Sequence, residues 1–288
     1  MIRHPAARTL VLTCAAMLAF AANSVLCRLA LGPGLIDAAG FTSVRVIAGT
    51  LTLALILLLR PGRHERVAAN WRTAAMLFSY MVFFSFAYRS LSTGTGALVL
   101  FGAVQLTMFV AAIRGGGHFT ALSWAGLLVA IGGLIYLVSP GITAPDPMGA
   151  TLMAIAGISW GLYSLFGRGA TDPLQATAKN FALALPLVLI VNLFFIDALH
   201  VTAEGAVLAA ASGALASGCG YAIWYAALPR LTAVHAATIQ LTVPAIAAFL
   251  GVVFLSEDIT LRLLIASAAT LGGVMIVLLQ RAAGPARS

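Results

Sequence analysis

Long apolar runs separated by short polar breaks dominate the hydrophobic pattern of the chain. Each run has about the 20 residues that an α-helix needs to cross the hydrocarbon core of a bilayer. The breaks carry turn-forming residues, as at Gly32-Pro33-Gly34, Pro61-Gly62 and Pro140-Gly141. The pattern predicts ten transmembrane helices, at about residues 8–30, 36–59, 71–91, 93–113, 119–138, 148–168, 177–196, 205–228, 233–253 and 259–281.

The composition also indicates a membrane protein. Hydrophobic residues make up 61% of the 288 positions and charged residues only 8%, whereas a soluble domain carries about 25% charged residues. This number of charges is too small to cover a water-facing surface. The expected fold class is therefore an all-α membrane protein. Cys14, Cys27 and Cys219 lie in apolar runs without a C-x-x-C pair, so neither disulfides nor a metal site is expected.

Basic residues are concentrated on one side of the predicted helices. If the N-terminus is cytoplasmic, the cytoplasmic segments carry Arg3, Arg8, Arg60, Arg63, Arg66, Arg72, Arg114, Arg168, Lys179, Arg230, Arg281 and Arg287. The opposite side carries Asp37, Asp146, Asp197, Glu204, Glu257 and Asp258, with little positive charge besides Arg89 and Arg262. This is the positive-inside pattern, so both termini are expected in the cytoplasm. It also accounts for the net charge of +8, and we expect no nucleic-acid partner.

The two halves of the chain match each other at a constant offset of about 140 positions. The matched pairs include Leu91 and Leu231, Ala97 and Ala237, Phe109 and Phe249, Thr120 and Thr260, and Gly132-Gly133 and Gly272-Gly273. We therefore expect two five-helix units, residues 1–140 and 141–288. Because five spans is an odd number, the second unit enters the membrane inverted, an arrangement typical of transporters.

Glycines within the fifth and tenth predicted helices are expected to let neighbouring helices approach closely. We expect Gly126 and Gly132-Gly133 to pack the fifth helix on the fourth, and Gly272-Gly273 to pack the tenth on the ninth.

Asn23 and Arg45 are predicted to lie well inside the spans. Counting 1.5 Å per helical residue, both lie roughly 10–14 Å from the outer boundary. An arginine near the centre of a span costs about 2.5–3.5 kcal/mol on insertion scales, so it needs water, carbonyl groups or an anion beside it. Arg45 is expected either to hold a substrate carboxylate or line the pathway, or to reach outward or pair with Asp37.

Gln105 and Gln240 are predicted near the middle of the membrane, where each amide either lines a cavity or bonds to a neighbouring helix. His235 lies near the cytoplasmic start of the ninth helix. It is a candidate proton carrier because histidine titrates near neutral pH, and the alternative is a local interfacial hydrogen bond. No Asp or Glu is predicted at mid-membrane. Since coupled carriers usually place a carboxylate there, we expect facilitated transport.

Aromatic residues cluster in the third, sixth and eighth helices. Tyr80, Trp160, Tyr163 and Tyr221 are candidate walls of a binding cavity, whereas Trp224 and Tyr225 fit interface anchors near a span end. The predicted substrate-binding set is therefore Asn23, Arg45, Tyr80, Gln105, Trp160, Tyr163, Tyr221 and Gln240. We expect the cavity between helices 1, 3, 4, 6, 8 and 9.

The sequence contains no H-E-x-x-H, P-loop or G-x-S-x-G motif. We expect no enzymatic activity, no cofactor and no metal. A lipid-modifying membrane enzyme remains the alternative from another class.

Several local features carry a family resemblance. They are Asn23-Ser24 followed by Arg28, Arg45, the Ala87 to Leu91 and Ala227 to Leu231 steps, Pro244, Glu257 followed by Thr260, and Gly272-Gly273. In these features the chain resembles the drug/metabolite transporter superfamily, and within it the EamA-type exporters. The first half departs from the second, with Val104 in place of Pro244 and Gly117 in place of Glu257.

The resemblance implies export of small metabolites, often amino acids and including aromatic ones, from a bacterial cytoplasm through a basket-shaped bundle. We therefore expect a multi-pass exporter of the inner membrane with a small-molecule substrate, for which a monomer is sufficient. A multidrug or nucleotide-sugar carrier is the alternative within this class. The scarcity of acidic residues in the spans argues against cationic drugs as the main cargo.

Overall fold

A computed structural model describes residues 5–60, 68, 70–116 and 119–283. Within these residues the regular structure is helical, apart from an isolated antiparallel bridge between Ile36 and Val201. Gly117, Arg3, Arg63, Arg66 and Arg287 lie outside the described residues.

Twelve α-helices are present in the described part of the chain. They are α1 (Pro5–Leu31), α2 (Ala38–Leu59), α3 (Trp71–Ala87), α4 (Thr93–Arg114), α5 (Ala121–Val138), α6 (Pro147–Phe166), α7 (Pro173–Phe194), α8 (Ala203–Ala211), α9 (Gly220–Ala227), α10 (Ala233–Gln240), α11 (Thr242–Leu255) and α12 (Leu261–Ala283).

Nine helical segments among the described residues are long and apolar enough to cross a membrane. One of them joins α8 and α9 into Ala203–Arg230, and another, Val234–Leu255, includes α10 and α11. Their outer surfaces carry exposed apolar side chains, such as Leu51 and Leu58 on α2, as expected of helices in contact with lipid. The chain is therefore a multi-pass membrane protein. α3 has 17 residues, slightly below the ~20 of a typical span.

Aspartate caps begin several of these helices. Asp37, Asp146 and Asp172 each accept a hydrogen bond from a backbone N–H three residues later, at 2.8, 2.7 and 3.1 Å. Such caps satisfy N–H groups that have no partner within the helix. At Asp146, the hydrogen bond from Gly149, with a second from the Ser90 hydroxyl, lowers the pKa of the carboxyl from its ordinary value.

The eighth and ninth predicted helices are less regular than expected. Between α8 and α9 the helix continues as a π-helix, Ser212–Cys219, a form found frequently at functional sites. The ninth predicted helix is interrupted at Leu241, between α10 and α11. Pro244 explains the break, because its ring excludes the carbonyl four residues earlier and it has no N–H to donate. Pro186, in contrast, lies inside a continuous α7.

Gly126, Gly133 and Gly273 pack α5 and α12 against each other, so the expected pairings with the fourth and ninth helices were wrong. Gly132 and Gly272 are exposed, so the expectation that they pack helices together was also wrong. A Cβ atom on Gly126 would lie 2.7 Å from the carbonyl oxygen of Gly273, and one on Gly133 would lie 2.7 Å from the Thr270 hydroxyl oxygen. Glycine is needed here because the two backbones are almost in contact.

Candidate functional site

A cavity of about 1380 Å³ opens at one end of the helix bundle. Its mouth is formed by the first turn of α3, the loop at 167–170 after α6, and the end of α9. Trp71 at the start of α3 is 56% exposed, which places this rim at the protein surface. From there the cavity extends inward between α3, α4, α6, α7, α9 and α10.

The helices around the cavity differ from the expected set in three respects, one of which is that α12 contributes Leu278. No residue of α1 within the described part of the chain lines the cavity, and α7 contributes Thr177 and Asn180 instead. α7 takes part because Asp172 and Pro173 start it at the cavity mouth, so its first turns face inward. α1 packs behind the cavity, against α9 and α11.

The inner wall of the cavity is aromatic. Trp160 and Tyr163 come from one face of α6, and Tyr221 lies opposite on α9. The rings of Trp160 and Tyr221 stack with centroids 5.6 Å apart and an interplanar angle of 15°, and Trp160 also contacts Tyr163 at 5.2 Å. The structure thus brings these three predicted residues together in a single wall, suited to contact apolar parts of a ligand.

Trp224 and Tyr225 also line the cavity, so their assignment as interface anchors was wrong. The Thr177 hydroxyl lies 2.9 Å from the hydroxyls of both Tyr163 and Tyr225. This contact between α7, α6 and α9 holds the two tyrosines inward, away from the lipid surface. Spacing along α9 alone does not reveal it, because Thr177 is distant in sequence.

Gln105 and Gln240 both line the cavity, from α4 and from the last residue of α10. The helix break at Leu241 directly follows this amide. Both amides therefore offer a donor and an acceptor to a ligand.

The charged residues that line the cavity are Arg72 and Arg168, and no Asp or Glu occurs among its described lining residues. Arg168 Nη2 lies 3.6 Å from the sulfur of Met108, which also lines the cavity. A cavity with this charge distribution attracts anions and disfavours cations.

A buried polar cluster lies behind the aromatic wall, and we define it as Asn23, Arg45, Tyr80 and Ser212. Ser212 donates to the Asn23 amide oxygen at 2.7 Å, and the Asn23 amide nitrogen donates to the Tyr80 hydroxyl at 3.4 Å. Arg45 Nη2 donates to the same hydroxyl at 3.2 Å. The cluster joins α1, α2, α3 and the π-helix, and it contains three of the predicted site residues.

Arg45 is fully buried within this cluster, with 0% of its surface exposed. Its Nε and Nη1 find no hydrogen-bond acceptor among the described protein atoms, and neither of the two salt bridges in the described chain includes it. Asp37 instead accepts from Gly40 and from the backbone N–H of His200. The expectations that Arg45 reaches outward or pairs with Asp37 were therefore wrong.

At the end of the bundle opposite the cavity mouth, an ion pair and hydrogen bonds join the ends of several helices. Arg28 Nε lies 3.4 Å from Glu257 Oε1, and Arg28 Nη1 donates to the carbonyl oxygens of Tyr88 and Arg89 at 3.1 and 3.0 Å. Glu257 in turn accepts from the Thr93 backbone N–H at 2.8 Å. We call Arg28, Glu257 and these partners the closing layer. It lies at the far end of α3, about 25 Å from the mouth at 1.5 Å per residue.

His235 lies apart from both groups. Its side chain is exposed and does not line the cavity. Its backbone N–H donates to the Thr232 hydroxyl at 3.1 Å, as part of the cap that starts α10.

The comparison with known proteins identifies the family. The model of the EamA-like transporter family matches residues 147–279, and the chain is 47% identical over 283 residues to an uncharacterised protein of Pseudomonas aeruginosa, covering 98% of this chain and 99% of that one. The chain belongs to the EamA-like transporter family. This confirms the resemblance found in the sequence.

Other relatives of this EamA-like transporter are more distant. It is 24% identical to an uncharacterised transporter of Archaeoglobus fulgidus, covering 82% of this chain and 86% of that one. It is 25% identical to a protein of Streptantibioticus cattleyicolor named "Probable terminal-alkyne amino-acid exporter", covering 83% of each. A crystal structure of a protein with 20% identity superposes with a TM-score of 0.65 over 95% of this chain and 99% of that one, and shows a shared fold.

The closing layer is the part of this EamA-like transporter that sequence reasoning missed. Arg28 and Glu257 each belong to the family features of the sequence, but they were not predicted to form a pair. A signal was present in the sequence. Arg28 lies near the end of the first predicted span, Glu257 follows the ninth, both are on the same predicted side of the membrane, and they carry opposite charge. Residues at neighbouring helix ends on one membrane face are candidates for such pairs.

Proposed function

We propose that this EamA-like transporter exports amino acids or similar small metabolites across the bacterial inner membrane by alternating access. The observation that carries the proposal is the asymmetry of the bundle. A large cavity reaches one end, and the closing layer seals the other. A transporter of this kind exposes its site to one side at a time, so we assign the structure to the state open to the cytoplasm.

The charge distribution supports this orientation. Arg60, Arg72, Arg114, Arg168 and Arg230 lie at or just after helix ends on the side of the bundle that carries the cavity mouth. The opposite end carries the acidic residues Asp37, Asp146, Glu204, Glu257 and Asp258. The positive-inside rule then places the mouth, and both chain termini, in the cytoplasm.

We also propose ten spans, with α3 as the shortest. α3 and α4 are joined by a short turn, and 17 helical residues extend about 25 Å, close to the ~30 Å hydrocarbon thickness of a bilayer. An even number of spans is required if both termini lie on one side.

The packing supports two inverted units, residues 1–140 and 141–288. α2 packs against α7, α4 against α11 and α5 against α12, so helices expected to be equivalent contact one another. At one such contact, the Thr270 hydroxyl donates to the Ala130 carbonyl oxygen at 3.4 Å, and these residues are 140 positions apart. Contacts between equivalent positions are expected along a pseudo-twofold axis.

The caps of α2 and α7 support the same relation. Asp37 accepts from Gly40 with one carboxylate oxygen and from the His200 backbone N–H with the other, at 3.1 Å. Asp172 accepts from Gln175 with one oxygen and from the Arg60 guanidinium with the other, at 2.8 Å. Each aspartate thus caps its helix and ties it to a neighbouring segment, at opposite ends of the bundle.

The lining of the cavity favours amino acids as cargo. Aromatic rings suit an apolar side chain, amides suit polar groups, and the two lining arginines suit a carboxylate. One distant relative is named as an amino-acid exporter. We propose that Gln105, Trp160, Tyr163, Tyr221 and Gln240 contact the cargo in the open cavity. Asn23, Arg45 and Tyr80 lie deeper and join the site as it closes.

Counterflow in proteoliposomes tests the proposal. Vesicles loaded with one unlabelled amino acid are expected to accumulate the same labelled amino acid transiently, without an ion gradient, for at least one member of a panel of the twenty. Exchange of a nucleotide sugar or an organic cation, and of no amino acid, would contradict the proposed cargo. A covalently changed product would instead support the membrane-enzyme alternative.

A further inference from the structure

Arg45 has more hydrogen-bond donors than the protein satisfies. Its guanidinium presents five N–H donors, yet the hydrogen bond it makes is to the Tyr80 hydroxyl, and Nε and Nη1 have no acceptor among the described atoms. The rings of Tyr80 and Phe84 lie 5.4 and 5.0 Å from Arg45 Cζ and provide cation–π contacts. No carboxylate of the described chain forms a salt bridge with it. A buried charge in this state is costly, so a partner from outside the protein is expected.

The rest of the polar cluster does not compensate for this charge. The Asn23 amide oxygen already accepts from Ser212, and the Asn23 amide nitrogen donates to Tyr80. Its members therefore satisfy one another, whereas the guanidinium keeps unused donors in a planar arrangement. When the Tyr80 hydroxyl is displaced, Nη2 shares one edge of the guanidinium with Nε and another with Nη1, and either pair of parallel N–H groups matches the two oxygens of a carboxylate.

Arg45 also lies close to the cavity without opening into it. The Tyr80 hydroxyl accepts a hydrogen bond from Arg45. The Tyr80 ring contacts the Trp160 ring, and the two ring centroids are 4.9 Å apart. Trp160 and Tyr221 are the innermost aromatic residues of the cavity wall. Tyr80 and Trp160 thus separate the guanidinium from a ligand in the cavity, so a movement of these two side chains connects the two.

We propose that Arg45 binds the carboxylate of the transported molecule, which replaces the Tyr80 hydroxyl as the partner of the guanidinium when the cavity closes. This inference rests on the proposed function and makes it more specific. The cargo is a small carboxylate with an apolar or aromatic side chain. Molecules that lack the carboxylate are poor cargo, even when their size and apolar groups are the same.

The first test compares ligands on the wild-type protein in proteoliposomes. Counterflow of labelled L-phenylalanine is measured with 3-phenylpropionate, L-phenylalaninamide or phenethylamine as competitor. We expect 3-phenylpropionate to compete, and the amide and the amine to compete about ten-fold more weakly, as the loss of a charge-assisted hydrogen bond predicts. Equal competition by the amide would overturn the inference while leaving amino-acid export intact.

The second test uses variants of the arginine. Arg45→Gln is expected to lower exchange about ten-fold or more and to remove the preference for the carboxylate. Arg45→Lys keeps the charge but not the planar pair of donors, so it should retain part of the preference. Arg114→Gln removes an exposed cation at the end of α4, outside the cavity lining, and should match the wild type.

Thermal unfolding separates this inference from the proposed function. 3-Phenylpropionate should raise the unfolding temperature of the wild type and not that of Arg45→Met, which is expected to fold because it replaces a poorly partnered charge. If no amino acid exchanges but this shift is seen, the cargo proposal fails and the carboxylate site stands. No shift, or an equal shift with chloride alone, would overturn the inference.

Discussion

Arg28 and Glu257 meet at the closed end of the bundle, with Arg28 Nε 3.4 Å from Glu257 Oε1. They come from the last turn of α1 and from the loop between α11 and α12, and Arg28 also holds the carbonyls of Tyr88 and Arg89 between α3 and α4. In the proposed cycle this contact has to break before cargo leaves. The pair therefore contributes to the free-energy difference between the inward-open and outward-open states.

Glu257→Gln is expected to shift the protein toward the outward-open state. The two side chains are 24% and 15% exposed, so the lost interaction is worth about 1 kcal/mol, or roughly a five-fold change in population. The readout is a cysteine introduced at Ser85, which is buried on α3, in a background without native cysteines. In the Glu257→Gln variant this cysteine should react with an impermeant maleimide added outside faster than it does when Glu257 is present.

Asp258→Asn is the matched control for this experiment. Asp258 is the next residue, is exposed and forms neither of the salt bridges in the described chain. Its labelling rate should equal that of the unchanged background. Equal rates for Glu257→Gln and Asp258→Asn would mean that the closing layer does not control access.

Trp160→Ala is expected to weaken cargo binding. The ring centroid of Trp160 lies within 5.6 Å of the ring centroids of Tyr80, Tyr163 and Tyr221. Loss of the indole therefore opens the inner wall of the cavity. Aromatic contacts are worth about 0.5–1.5 kcal/mol beyond their buried area, which predicts a rise of up to about ten-fold in apparent KM for an aromatic amino acid. Counterflow across a range of concentrations measures it.

Trp124→Ala provides the control for lost aromatic surface. Trp124 is 46% exposed on α5, where it contacts Phe109 and Phe119 outside the cavity lining. Its replacement should leave the apparent KM unchanged. The role of Trp160 would be rejected if both variants raised KM equally.

The sequence predicted the membrane class and several residues that line the cavity, because both follow from local physical constraints. Apolar runs of span length identify helices, and the spacing of Trp160 and Tyr163 places them on one face. It did not predict that Tyr225 faces inward, because the contact that holds it there is with Thr177 on another helix. The partners of Arg45 were equally inaccessible, since Tyr80 is 35 positions away and reaches it only through packing.

His235→Gln is expected to leave transport unchanged. His235 is exposed and lies outside the cavity lining, so it is not placed to pass a proton to cargo. Counterflow should be equal for the variant and the wild type across the range in which histidine titrates, about pH 5–8. A loss of exchange or of pH dependence in the variant alone would instead support a proton-carrier role and coupled transport.

Gly273→Ala and Gly133→Ala are expected to destabilise the contact between α5 and α12. A Cβ on Gly273 would collide with the Gly126 carbonyl oxygen, and one on Gly133 would lie 2.7 Å from the Thr270 hydroxyl oxygen. Neither backbone moves without separating the helices, so each change should cost about 1–3 kcal/mol, as overpacking does. Thermal unfolding of the purified protein measures the effect.

The chain supplies a matched control beside each of these glycines. Gly132 and Gly272 are exposed, and a Cβ on either would find no atom within 4 Å. Ala at these positions should leave the unfolding temperature unchanged or raise it slightly, because alanine favours helix more than glycine does. The same contrast in both halves would support equivalent roles for positions 140 apart. If Gly132→Ala and Gly133→Ala unfold at the same temperature, the close contact of α5 and α12 is wrong.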